Sequence, residues 1–185
     1  MSVNHSYYCL DWSRIPEINE EGSFDFLFDL MEEEEMPGWI SEVAFGKQID
    51  GYFFSSWVGL MEFKDWFDLA RPSMDPAITE SFAALFQDVG LLMNDDFAFV
   101  PIMKDILFED DWLLAAIPPD EVGNIISRAN EIDLCALVPV FQAALDRHPS
   151  DLIESGELVR DWLVALKEGL TAVEERRFGI ILGTA

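Results

Sequence analysis

Basic residues are the scarcest feature of this 185-residue chain: 11 Lys and Arg stand against 36 Asp and Glu, a formal net charge of −25. Recognition of a phosphate backbone needs clustered Lys and Arg, and attraction to an anionic lipid surface needs cations too, so direct nucleic-acid binding and membrane-surface binding both drop out. Cysteine is nearly missing as well. Cys9 and Cys135 have no CxxC spacing, and no charged, apolar, small-residue leader opens the chain, which makes a reducing cytoplasm the expected compartment. No apolar run approaches the roughly 18 residues of a membrane span.

The chain is equally short of recognisable chemistry. Its two histidines, His5 near the N-terminus and His148 in a His-Pro turn, have no metal-pair spacing and read as ordinary surface residues. There is no G-x-S-x-G elbow, no G-x-G-x-x-G and no P-loop. Asn94-Asp95-Asp96 and Glu109-Asp110-Asp111 lack the alternating ligands, central Gly and distant Glu of an EF-hand, so weak adventitious cation binding is all they suggest. The expectation is no catalytic residue, no metal site and no cofactor.

What is present is a large apolar fraction. Half the residues are hydrophobic and 13% are aromatic, which is enough to build a core without staples despite the charge. Abundant aromatics also set the chain apart from a halophile's acidic solvation shell. The clearest unit runs from Glu109 to Ala129. Trp112 to Ile117 is too short for a helix and reads as a buried strand, Pro118-Pro119 ends it, and the second proline suits the first position of a helix. Asp120 and Glu121 complement that helix's N-terminus, while Val122, Ile125, Ile126 and Ala129 form one apolar stripe.

Charge concentrates in the first part of the chain: 24 acidic and 5 basic residues fall in 1–116, against 12 and 6 in 117–185. His5 to Trp12 reads as a strand, with Pro16 and Gly22 closing the connection after it. Ser23 stands as an N-cap for a helix to about Glu35, with Phe24, Leu27, Phe28 and Met31 on its apolar side. Asp25, Asp29, Glu32 and Glu33 share the other side. Glu32-Glu33-Glu34-Glu35 lies at the C-terminal end, where each acid opposes the macrodipole by about 0.3–1 kcal/mol. Like charges four apart add about 0.2–0.5 kcal/mol per pair. A solvated face is the plain explanation; a binding surface is the functional one.

Trp39 to Phe45 suggests a short helical turn, and Tyr52-Phe53-Phe54 a second strand. Trp57 to Ala70 is helical, with Leu60, Phe63, Phe67 and Ala70 on one side and Met61 and Leu69 among Glu62, Asp65 and Asp68 on the other. Asp75-Pro76 restarts the chain as an N-cap with proline at the first helical position, and Ile78, Phe82, Leu85, Phe86 and Val89 continue that helix. Phe97 to Ile102 suits an edge strand at best. Leu134, Leu137, Val138, Phe141 and Leu145 form a stripe with an expected kink near Pro139. Leu158, Trp162, Leu166 and Leu170 mark the last helix, and Phe178 to Gly183 a closing strand.

The run Leu114-Ala115-Ala116-Ile117-Pro118-Pro119-Asp120-Glu121-Val122, followed by helices, Trp162-Leu163-Val164-Ala165-Leu166-Lys167 and a terminal apolar strand, resembles the second half of the YfbM-like bacterial proteins. The resemblance covers about 70 residues and implies a small α+β bacterial protein; it carries over no activity and no site residue.

The sequence therefore predicts one α+β domain spanning 1–185, with about six helices on a small mixed or antiparallel sheet built from the runs near Tyr7, Tyr52, Trp112 and Ile180. The expected function is binding: neutralisation of a basic protein partner, such as a toxin, by an immunity or antitoxin-like inhibitor. Asp25, Asp29, Glu32, Glu33, Glu34 and Glu35 would steer the partner, and Trp39, Met61 and Trp66 would anchor it. The alternatives are a carboxylate-based hydrolase or metal-dependent enzyme, which needs convergent carboxylates in a pocket, and a nucleic-acid mimic, which needs carboxylates at about one per 1.7 Å along an extended surface.

Overall fold

The computed structural model describes residues 5–21, 38–42, 57–88 and 113–184. Their strands are β1 (His5–Leu10), β2 (Ile40–Glu42), β3 (Leu113–Ile117) and β4 (Gly179–Thr184); their α-helices are α1 (Ile15–Glu21), α2 (Trp57–Ala70), α3 (Pro76–Asp88), α4 (Pro119–Glu131), α5 (Leu134–Arg147) and α6 (Gly156–Arg176). The strands form one antiparallel sheet in the order β2-β1-β4-β3. Among the described residues helices outweigh strands and every strand pairing is antiparallel, which makes the fold an α+β domain of the expected kind.

Where their side chains are described, β1, β3 and β4 carry buried residues on both faces of the sheet. Cys9, Ile117 and Ile180 turn one face into the main core, where they join Val122, Ile125 and Ala129 of α4 and the apolar side of α6. Leu10, Ile40, Ala116 and Ile181, at alternate positions, are buried on the other face, as are Ile15 and Ile18 of α1. This double burial explains why β3 and β4 read as continuous apolar runs rather than alternating ones. Between Leu113 and Ala115 the pairing with β4 slips by one residue, a bulge that no sequence pattern announces.

Behind α4 and α6, the helical layer is filled by rings. Phe63, Trp66 and Phe67 of α2, Phe82 of α3 and Phe141 of α5 are mutually packed, with the Phe82–Phe141 centroids 4.9 Å apart. Polar caps fix where these helices begin. Asp75 Oδ1 accepts from the Ala77 N–H at 2.9 Å, Asp133 Oδ1 from those of Cys135 and Ala136, and Ser155 Oγ from that of Leu158. Pro118 caps α4 with Pro119 at its first position, as the double proline implies.

Two expectations are corrected. Ile40–Glu42 is a strand rather than part of a helical turn: Leu10 pairs with Ile40 and Tyr8 with Glu42, a partnership formed across about thirty residues of chain. Residues 12–21 are not a plain connection but a turn of 3₁₀ helix followed by α1, because Pro16 occupies the second helical position, where its missing N–H is not needed. Helix α5 continues through Pro139 to Arg147, and the proline withholds the N–H that would meet the Cys135 carbonyl. The expected helix from Ser23 to Glu35, the Tyr52 strand and the Phe97 to Ile102 segment lie outside the described residues.

Candidate functional site

A chain with 11 cations can shape its field by where it spends them. Arg14 donates to Glu17 at 2.8 Å and lies over the Trp39 ring, 5.1 Å from its centroid. Lys64 is bound to Asp68 one helical turn on. Arg147 donates to the Ser73 carbonyl, and Arg160 to Asp161 through both Nε and Nη2. That hydrogen-bonded carboxylate holds the Arg160 pKa above its ordinary value. Arg176 is committed to neutral acceptors. With so many cations engaged inside the molecule, the outward field comes from the carboxylates.

The outer face of α2 concentrates this imbalance. Phe63, Trp66, Phe67 and Ala70 turn inward at i, i+3, i+4 and i+7, which leaves Glu62, Asp65 and Asp68 exposed on the other side. Leu69 stands among them at 62% exposure, an exposed large hydrophobic residue on an anionic face. Glu62–Asp65 and Asp65–Asp68 are like-charge neighbours three apart, each destabilising the helix by a few tenths of a kcal/mol. Lys64 offsets this at Asp68.

The anticipated partner-binding residues fare differently. Asp25, Asp29, Glu32, Glu33, Glu34 and Glu35 lie outside the described residues. Met61 belongs to α2, and its side chain lies outside the described ones. Trp39 is half-buried under Arg14, and its carbonyl accepts from the Asp11 N–H at 2.8 Å. Trp66 is the one to correct: it is 7% exposed, packs on Phe63 and Phe141, and satisfies its indole N–H on the His148 carbonyl at 2.6 Å. It is a core residue rather than an exposed contact. The signal was available, since Trp66 falls three residues after Phe63 on the inward stripe.

A second cluster gathers residues far apart in sequence. The Arg176 guanidinium donates through Nη1 to Ser41 Oγ at 2.7 Å and Cys9 Sγ at 3.4 Å, and through Nη2 to the Gly38 carbonyl at 3.0 Å. It also stacks on Phe178, 4.1 Å from the ring centroid. Cys9 Sγ and Ser41 Oγ are 3.0 Å apart. No spacing rule could have paired positions 9, 41 and 176.

Two further groups carry shifted acidities. The Asp11 carboxylate accepts from the Ser13 hydroxyl at 2.8 Å and its N–H at 3.1 Å, and these bonds hold its pKa below the usual carboxylate value. Partial burial of Lys167 lowers its ammonium pKa. Among the described residues no three His, Cys, Asp or Glu side chains are grouped to hold a metal ion, and no helix is long and apolar enough to cross a membrane. Comparison with known proteins finds no matching family model, no matching curated protein and no matching solved structure.

Proposed function

We propose that this protein is a cytoplasmic binding protein, not an enzyme, that neutralises a basic protein partner as a bacterial immunity or antitoxin-type inhibitor. The observation that carries the proposal is the outer face of α2, where Glu62 and Asp65 stand exposed on the same side as the exposed Leu69, while Asp68 is paired with Lys64. Repulsion between its acids and exposure of an apolar side chain both oppose stability of the free protein, and both are relieved when a cationic surface with an apolar contact covers that face. Both thiols are free, which suits a reducing compartment.

The mechanism is electrostatic attraction followed by occlusion. Glu62 and Asp65 on α2, together with Asp25, Asp29 and Glu32 to Glu35, draw in the basic surface, and complementary fields of this kind raise association rates to about 10⁸–10⁹ M⁻¹s⁻¹ at low salt. Charge alone gives speed rather than residence. Leu69 supplies the apolar contact that slows dissociation, with Met61 of the same helix as the second candidate. The test is affinity capture from the native cell with wild type and with a Glu62→Lys, Asp65→Lys, Leu69→Ser triple variant as baits. The proposal expects a basic protein that is released by salt and lost from the variant; a partner retained equally by both baits removes α2 from the mechanism.

A further inference from the structure

We propose that residues 38–42 form a strap that opens as a unit while the core stays folded, and that Arg176 is its latch. β2 is three residues long and pairs with β1 alone among the described strands. Its short ladder gives little to hold it. Beyond that ladder, the strap is tied by the bond from the Asp11 N–H to the Trp39 carbonyl, by Arg14 over the Trp39 ring, by the Cys9–Ser41 contact, by burial of Ile40, and by the fork of Arg176, which engages both Gly38 and Ser41. Short edge segments with few ties are drawn from the low end of a protein's local stability.

The latch has the features of a joint that can release. Its acceptors on the strap are a carbonyl and a hydroxyl, neutral groups that bind a guanidinium less strongly than a carboxylate does. Arg176 is the last residue of α6, and the next residue, Arg177, holds a left-handed backbone with φ 57°, so the latch is mounted on a strained turn. Opening has two consequences. It uncovers the Cys9 thiol, which is 3% exposed with Ser41 against it, and it frees the edge of β1 from Tyr8 to Leu10. It also releases Trp39 from under Arg14.

Cys9 serves as the reporter. In a Cys135→Ser background, alkylation by iodoacetamide, in which the Cys9 thiolate displaces iodide, reads how often the strap opens. Arg176→Gln is expected to speed Cys9 alkylation at least about tenfold while the thermal midpoint stays within about 3 °C of the parent, with Arg176→Lys in between. Independently of any variant, amides of residues 40–42 in the wild type should exchange faster than those in the middle of α6. The proposal is overturned if Arg176→Gln leaves the alkylation rate unchanged, if that rate rises only in step with exchange in α6, or if the wild-type strap is as protected as α6. The last measurement stands even if Arg176→Gln does not fold.

Discussion

Two helical glycines look alike in the sequence and should behave oppositely. Gly156 opens α6 where it crosses α5, and a Cβ there would meet the Val138 carbonyl oxygen at 2.3 Å and the Gln142 nitrogen at 3.0 Å. Both are backbone atoms of a packed helix and cannot swing aside. The Gly156 N–H also donates to Gln142 Oε1 at 3.2 Å, a bond that any separation of the helices weakens. Gly156→Ala should therefore cost about 2–3 kcal/mol, the scale of overpacking in a close-packed interior. Gly123, in the middle of α4, meets only the Glu174 Oε1 tip at 2.8 Å, the end of a flexible side chain that can turn away. Gly123→Ala should gain about 0.5–1 kcal/mol from helix propensity and lower chain entropy in the unfolded state. In thermal denaturation of a chain this size these values become a fall of roughly 5–10 °C and a rise of roughly 1–3 °C. A neutral or stabilising Gly156→Ala would refute the close α5–α6 crossing, and a destabilising Gly123→Ala would show that the Glu174 carboxylate is fixed there.

Arg177→Gly should raise stability by about 0.5–1 kcal/mol, because glycine adopts the left-handed conformation without a Cβ clash; urea denaturation checks the sign. Asp11 has a folded pKa below its ordinary 3.8, so its contribution is present above that value and is lost as pH falls through the lower folded one. Asp11→Asn, which still accepts from Ser13, should flatten this part of the stability profile measured between about pH 2 and 5. Lys167 shifts the other way: its folded pKa lies below 10.5, so the unfolded chain holds more protons between the two values and stability rises with pH in that window. Lys167→Met, which keeps the buried stem and drops the charge, should remove that rise in alkaline denaturation profiles and lift the midpoint near neutrality by roughly 1–2 °C.

Local signals were legible wherever the chain's own periodicity and punctuation decided the structure. Trp57–Ala70 and Pro76–Asp88 start where expected, and the double proline at 118–119 separates β3 from α4 as its chemistry requires. What escaped was decided between distant positions. β2 is too short to show alternation and exists because β1 offers an edge. α1 was hidden by Pro16, which breaks a helix interior but not a first turn. At the site, the acidic face of α2 could be read from Glu62, Asp65 and Asp68, whereas the inward turn of Trp66 followed from continuing the Phe63 stripe. The Arg176 cluster, with partners 135 and 167 positions away, left no trace in the pattern.

The association rate of the captured partner, followed by stopped flow from about 20 mM to 500 mM salt, tests electrostatic capture most directly. Wild type is predicted to lose at least about tenfold in rate across that range, within reach of steered association. Glu62→Lys with Asp65→Lys, and separately Asp29→Lys, Glu32→Lys with Glu33→Lys, should each slow association at low salt and flatten the dependence, while Leu69→Ser should act mainly on dissociation. A rate indifferent both to salt and to these reversals would contradict the account, even if the partner still binds.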